Sequence, residues 1–250
     1  MTIPKAIFFD LDDTLYDHTT VSRIALTETS RLDETLSRVS FEELEKANAH
    51  WLEHFHRAVQ EGNQTLEAAR VARWARILDQ FGSNVSNAPL LAASQRRAYL
   101  ANERLVEGTR EVLSAFAKYR LPLAIVSNNT REEQLGKLAR LGIADRFQAV
   151  IVSADHGIAK PDARLFHIAL ESMGHLASEV VHIGDSWNAD VGGANAAGIR
   201  PIWFNRFGKT SPDSGVEQIR NLCELIDVLG LNSWGSRDEI PVFGSHTALG

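Results

Sequence analysis

Ile7-Phe8-Phe9 is a short apolar run without period, the pattern of a strand buried on both faces of a parallel sheet, and Asp10 ends it. From residue 19 to residue 104 the pattern changes: apolar positions recur at three-to-four spacing among Ala, Leu, Glu, Arg and Gln, and no strand is offered. This predicts a helical insert. Ser40-Phe41-Glu42-Glu43 has the form of a capping box and starts a helix near Phe41. Gly62-Asn63 and Gly82-Ser83-Asn84 separate that helix from the next, and the next from one over residues 89–100. After Glu107-Gly108, short β-rich runs at 123–126, 149–152, 180–183 and 201–204 alternate with helical segments over 131–141, 162–173 and 189–197. Each of those helices is followed by a glycine (Gly142, Gly174, Gly198), where a helix end needs left-handed backbone. The predicted fold is α/β, a doubly wound parallel sheet with right-handed crossovers, whose ligands lie at the carboxyl ends of the strands.

Composition narrows the class. At 250 residues, 44% hydrophobic and 23% charged, the chain has the profile of a globular protein. A formal net charge of −6 without a long Lys/Arg run argues against nucleic acid or an anionic membrane as partner, and a small molecule fits better. The apolar run before Asp10 is too short for a signal or a membrane span, so the cytoplasm is the expected location. Cys223 is the single cysteine, which rules out an intramolecular disulfide and a multi-cysteine zinc site.

The residues that follow the predicted strands carry the chemistry. They are Asp10 and Asp12, Ser127 and Asn128, Lys160-Pro161, and Gly184-Asp185 with Asp190 five residues on. Ionised carboxylates gathered at one point repel unless a cation binds among them. With oxygen donors and no His or Cys at these strand ends, Mg²⁺ is the expected ion. Lys160 adds a second positive charge, and Ser127 with the amides after it suits phosphoryl oxygens.

Asp10-Leu11-Asp12-Asp13-Thr14, Ser127, Lys160-Pro161 and Gly184-Asp185 with Asp190 resemble, in order, the four motifs of the haloacid dehalogenase-like hydrolase superfamily, over residues 7–204. The resemblance implies a Rossmann-like core of residues 1–17 and 105–231, an all-helical cap at 18–104, and a C-terminal tail at 232–250. It implies Asp10 as nucleophile and Asp12 as acid and base. It implies Thr14 orienting their loop and Thr14, Ser127, Asn128 and Lys160 around the phosphate, Lys160 also serving catalysis. Mg²⁺ would be held by Asp10, Asp12 through its carbonyl, and Asp185, with Asp190 behind Lys160 or the metal. The implied reaction is hydrolysis of a small phosphorylated metabolite: a nucleoside monophosphate, a sugar phosphate or a phospho-acid. The superfamily's dehalogenases lack a second carboxylate two residues after the nucleophile, so Asp12 points to phosphate esters. A phosphomutase and a non-catalytic binding protein of the same fold are the alternatives.

Other features have plainer readings. His50-Trp51-Leu52-Glu53-His54 fits a zinc-peptidase pattern, yet it falls inside the helical insert and reads better as half-exposed helix face. Trp51 and Trp74 read as packing anchors, His18 as a solvent-exposed residue where the chain leaves for the insert, His182 as a satisfied core imidazole and Cys223 as a small buried hydrophobe. An apolar face on the insert could support a homodimer.

Overall fold

The computed structural model describes residues 3–231 except residue 61, so the tail expected over 232–250 lies outside the described residues. Among the described residues, β1 (Ala6–Phe9), β2 (Leu123–Ser127), β3 (Ala149–Val152), β4 (Val180–Gly184), β5 (Arg200–Phe204) and β6 (Glu217–Ile219) form one sheet. Its order is β3-β2-β1-β4-β5-β6 and every pairing is parallel. Strand β1 is therefore central, and its four residues are fully buried, as a run without a polar face requires. Ile7 and Phe9 point into a core with Phe116, Ile125 and Leu138, whereas Ala6 and Phe8 point into the opposite one with Val126, Leu165 and Phe166.

The chain leaves β1 for α1 (His18–Ser30), α2 (Phe41–Gln60), α3 (Leu66–Gln80) and α4 (Ala88–Ala101), and returns through α5 (Thr109–Lys118) to β2. The four helices before the return have a core of their own around Trp74, with Leu26, Leu44, Ile77 and Leu91. Trp74 is the packing anchor expected of it, and Trp51 packs partly buried against the same cluster. Helix α1 serves both bodies: Val21 packs in the sheet core and Leu26 in the core of the insert. At the start of α2 the Glu43 amide donates to Ser40 Oγ at 3.3 Å, but the Ser40 hydroxyl itself donates to Glu43 Oε2 at 2.6 Å, a variant of the expected box. Outgoing and returning segments run side by side, joined by Val106 N to Leu15 O at 2.9 Å and Asp17 N to Arg104 O at 3.1 Å.

The second half alternates α6 (Arg131–Arg140), α7 (Ser153–His156), α8 (Ala163–Met173), α9 (Gly193–Ala196) and α10 (Leu225–Val228) with the strands. Predicted strand boundaries agree to within a residue. The helix expected over 189–197 differs: residues Trp187–Gly192 are wound as a π-helix before α9 begins. The wider turn lets the Asp190 side chain fold back, where it accepts from the Ser186 amide at 3.0 Å. Strand β6 was not predicted, because three residues reading Glu-Gln-Ile carry no periodic signal. Cys223 corrects another expectation, for it is exposed: its turn directs Leu222 and Leu225 inward and residue 223 outward. No helix among the described residues is long and apolar enough to cross a membrane.

Candidate active site

Lys160 is the hub of a buried charge cluster at the carboxyl end of β1. Its Nζ donates to Asp10 Oδ1 at 2.7 Å, to Asp190 Oδ1 at 2.6 Å and to the Val126 carbonyl at 2.8 Å, so all three ammonium protons are placed. Asn128 fixes the lysine's backbone, accepting from Lys160 N at 2.7 Å and donating to Lys160 O at 2.9 Å. Lys160 lies eight residues beyond the end of β3 and depends on this clamp for its position. Burial alone would lower the Lys160 pKa, but Asp10 and Asp190 outweigh it and raise it. Burial pushes Asp10 well up, against the pull of Lys160 and with a push from Asp190 and Asp185. Asp190 goes the other way: Lys160 and His182 overcome its burial and hold it low. His182 Nε2 stands 3.0 Å from Asp190 Oδ1, and burial keeps the imidazole below its usual pKa, so a neutral ring donates there. His182 is thus tied into the cluster rather than being an ordinary core residue, and its Nδ1 has no partner among the described residues. Gly184 has to be glycine, because a Cβ there would sit 2.2 Å from Asp190 Cγ.

Asp12 lies on the same loop, turned toward the insert. Lys137 Nζ, Gln134 Nε2 at 3.0 Å and Asn129 Nδ2 at 3.3 Å all donate to its carboxylate. Burial would raise its pKa, yet Lys137 and then His18 outweigh this and hold it well below the usual range. Gln134 Nε2 also donates to Ser127 Oγ at 2.6 Å, which links the ends of β1 and β2. The hydroxyl of Thr14, fully buried, is 3.4 Å from Asp10 Oδ2, so Thr14 supports the carboxylate from behind and does not reach open space. Asp13, at φ 61°, accepts from Thr19 N and Oγ1, both at 2.8 Å, and from Arg206 at 2.6 Å, pinning the start of α1. Of the residues read from sequence, Asp10, Lys160, Asp185 and Asp190 come together in one cluster, with Asp12 and Ser127 beside it. The Asn128 side chain is committed to the Lys160 peptide, leaving its backbone for any ligand.

A cavity of about 410 Å³ opens between this loop cluster and the insert. Asp12, Asn128, Asn129 and Lys137 form its floor, and Leu52, Phe55, Val59 and Ala69 supply apolar wall from α2 and α3. His18 lines the cavity instead of facing open solvent as expected: its Nδ1 is 2.8 Å from the Tyr99 hydroxyl and 3.9 Å from Asp12 Oδ1. The insert is tied down across the cavity by Glu133 of α6. It accepts from Arg70 of α3 at 2.8 Å and from Arg96 of α4 at 2.9 and 3.1 Å. These arginines outweigh burial and hold the Glu133 pKa below its usual value. The stability they contribute is therefore fully present above the ordinary glutamate pKa and is lost as pH falls through the lowered one. Glu133→Gln is expected to weaken this tie by ~1–3 kcal/mol, read as faster proteolysis of the insert. Unchanged proteolysis would show that the insert is held elsewhere.

One group of three acidic side chains among the described residues could share an ion: carboxylate oxygens of Asp10, Asp185 and Asp190 lie within 4.8 Å of one another. Burial first, then Asp190 and Asp13, push Asp185 up to about 7 against a smaller pull from Lys160 and Lys209, the signature of a carboxylate short of counter-charge. An all-oxygen donor set with such a shortage fits a hard divalent cation. Asp190 already gives its oxygens to Lys160, His182 and the Ser186 amide. Asp10 and Asp185 are therefore the better-placed ligands. His50 and His54 belong to no such group; both are exposed and pack edge-on against Trp51, at 4.8 and 5.9 Å.

The model of the haloacid dehalogenase-like hydrolases matches residues 4–198, more than half of the chain. The chain belongs to that family. The chain is similar to the ribulose-1,5-bisphosphate 5-phosphatase of Halopiger xanaduensis, with 28% identity over 90% of this chain and 96% of the relative. It is also similar to the phosphoserine phosphatase of Thermus thermophilus, with 31% identity over 87% and 97%. Among solved structures it resembles the magnesium-bound HAD-hydrolase YfnB of Bacillus subtilis, a structure described as revealing interdomain movement. The TM-score is 0.70 and the identity 25%, over 92% of this chain and all of that one.

Within this family member, the contacts on Asp12 from Gln134 and Lys137 were missed by sequence reasoning. A signal existed. Positions 134, 137 and 138 form the inward stripe of α6, continued by Leu141 just past its end, and two of these four residues are polar yet nearly inaccessible. A buried Gln and Lys on an otherwise apolar stripe need partners, and the nearest loop supplies them.

Proposed function

We propose that the protein is a Mg²⁺-dependent phosphomonoesterase acting on a small phosphorylated metabolite, with residues 1–17 and 105–231 as catalytic core and 18–104 as cap. The observation that carries this reading is the pair of carboxylates two residues apart at the end of β1. Asp10 is bound to Lys160, and Asp12 faces the cavity with its own cation. Their environments push their pKa values apart, Asp10 up and Asp12 down, as two carboxylates with different tasks require. Phosphatase relatives matched along nearly their whole length support it.

In this reading an Asp10 carboxylate oxygen attacks phosphorus. The P–O bond to the metabolite breaks as the acyl phosphate forms. Asp12 gives a proton to the leaving alkoxide, then takes one from the water that cleaves the acyl phosphate, restoring both residues. To donate, Asp12 must first carry a proton in place of its Lys137 contact, and entry of the anionic substrate beside Lys137 supplies the competing partner. Lys160 neutralises charge shared by Asp10 and the transferring group, and Ser127 with the backbone of Asn128 and Asn129 holds phosphoryl oxygens. Asp10, Asp185 and the Asp12 carbonyl would hold Mg²⁺, which supplies charge neutralisation for the phosphoryl group.

The test is release of inorganic phosphate from an aryl phosphate with and without Mg²⁺. Release that needs Mg²⁺ and stops with EDTA is the expected result. Turnover that EDTA leaves intact would sink the reading. Phosphoryl transfer between sugar phosphates without net release would point to the mutase alternative.

A further inference from the structure

The cavity walls are unbalanced in charge. Lys137 is paired with Asp12, Arg70 and Arg96 share Glu133, and Glu53 at the rim faces Arg57 at 3.6 Å. Arg73, one turn along α3 from Arg70, also lines the cavity, and no carboxylate among the described residues pairs with it. Its Nη2 donates to Gln95 Oε1 at 2.5 Å, and Nε, closed off from solvent, has no hydrogen-bond partner among the described residues. Gln95 Oε1 already accepts from Trp74 Nε1 at 2.9 Å, so Arg73 has part of a neutral acceptor and no negative charge. The guanidinium is depressed to about 10 by burial first and by Arg70 second, with no acid pulling it back. A half-buried arginine with an orphaned N–H and no counter-ion is costly unless something else brings the charge.

Resting on the phosphomonoesterase reading, we propose that Arg73 receives a second anionic group on the substrate, a carboxylate or a second phosphate at the end remote from the ester being cleaved. The substrate class is then a phosphate monoester of an acid or a bisphosphate, rather than a nucleoside or a neutral sugar carrying one phosphate. The geometry is consistent: the reacting end belongs at the floor by Asp12 and Asn128, and Arg73 rises from the insert above it. A guanidinium suits this task, since its charge is permanent and its terminal nitrogens keep N–H groups beyond the one given to Gln95. An anion seated there would also add a charge tie between the cap and a substrate held by the core. Closure would then respond to the second charge rather than to phosphate alone.

The experiment compares kcat/KM within pairs of esters that share a carbon skeleton. 3-Phosphoglycerate is set against glycerol 3-phosphate, and ribulose 1,5-bisphosphate against ribulose 5-phosphate. The wild-type protein is expected to favour the doubly anionic member of at least one pair by ~10-fold or more, and Arg73→Gln to reduce that ratio ~10-fold, with Arg73→Lys retaining part of it. Because the ratio is taken within each protein, a general loss of folded enzyme cancels. Phosphate release from the aryl ester with no preference in either pair would overturn the inference and leave the phosphomonoesterase reading standing. So would a preference that Arg73→Gln leaves unchanged. No Mg²⁺-dependent release from any ester would remove the reading itself, and the inference with it.

Discussion

Asp10→Asn is expected to lower phosphate release from an aryl ester by ~10³-fold or more while leaving a folded protein. An amide oxygen is a poor nucleophile, and the neighbouring Asp190 and Asp12 are committed to other partners. Asp190 is engaged with Lys160 and His182, and Asp12 is held by Lys137 and Gln134 on the other side of the loop. The fold should survive because Asp10 is an expensive residue to keep ionised. Burial raises its pKa, and folding must work against that rise at neutral pH. Removing the charge takes away Lys160's attraction to it, but Asp190 remains on the ammonium at 2.6 Å. Thermal unfolding should therefore be close to, or above, that of the parent protein. Near-normal turnover in a folded variant would move the nucleophile elsewhere.

Lys160→Met is the harsher change. It deletes the cation that faces two buried carboxylates, each in direct contact with it, and a loss of about 3–5 kcal/mol is expected from stranding buried charge. Activity should fall as well, by ~10²-fold or more, since one fixed charge near the transferring group is gone. The wild-type cluster sets its own pH window. Asp190 has a depressed pKa, so its stabilisation is present above the ordinary aspartate value and is lost as pH falls through the lowered one. Lys160 has a raised pKa, so its share is present below the ordinary lysine value and is lost as pH rises through the folded one. The contribution of the Lys160–Asp190 pair is then greatest from about pH 4 to about pH 10. A denaturation midpoint for Lys160→Met equal to the wild type across that range would show that another group balances the carboxylates. A lysine in contact with two acids and a carbonyl, fixed by Asn128 through its own peptide, leaves little room for such a substitute.

Much of this site could be read from the chain alone, for a definite reason. In a parallel sheet the strands are continuous apolar runs, so their carboxyl ends are visible as the points where the run stops, and chemistry collects there. Asp10, Ser127 and Gly184-Asp185 each stand at or just beyond such a stop, and the alternation of runs with glycine-ended helices gives the sheet's composition. The helical character of residues 19–104 and the start of α2 at Phe41 were equally plain, because they depend on spacing and caps within a few residues.

What the sequence could not fix were relations between segments far apart in the chain. Lys137 meets Asp12 across 125 positions, and Arg70 and Arg96 meet Glu133 across 63 and 37. No local pattern encodes a partner at such distance, although the polar residues on the buried stripe of α6 announce that one exists. The same holds for His18, whose setting is made by Tyr99 of α4, and for the π-helical turn that brings Asp190 back to Lys160. The sequence by itself determined the α/β class, the helical insert and the identity of the acidic and basic residues at the strand ends, since periodicity and strand termination are local. Only the tertiary structure decided which cation balances which carboxylate, and that Arg73 is left with none among the described residues, because charge balance belongs to the enclosed cavity and not to any one segment that lines it.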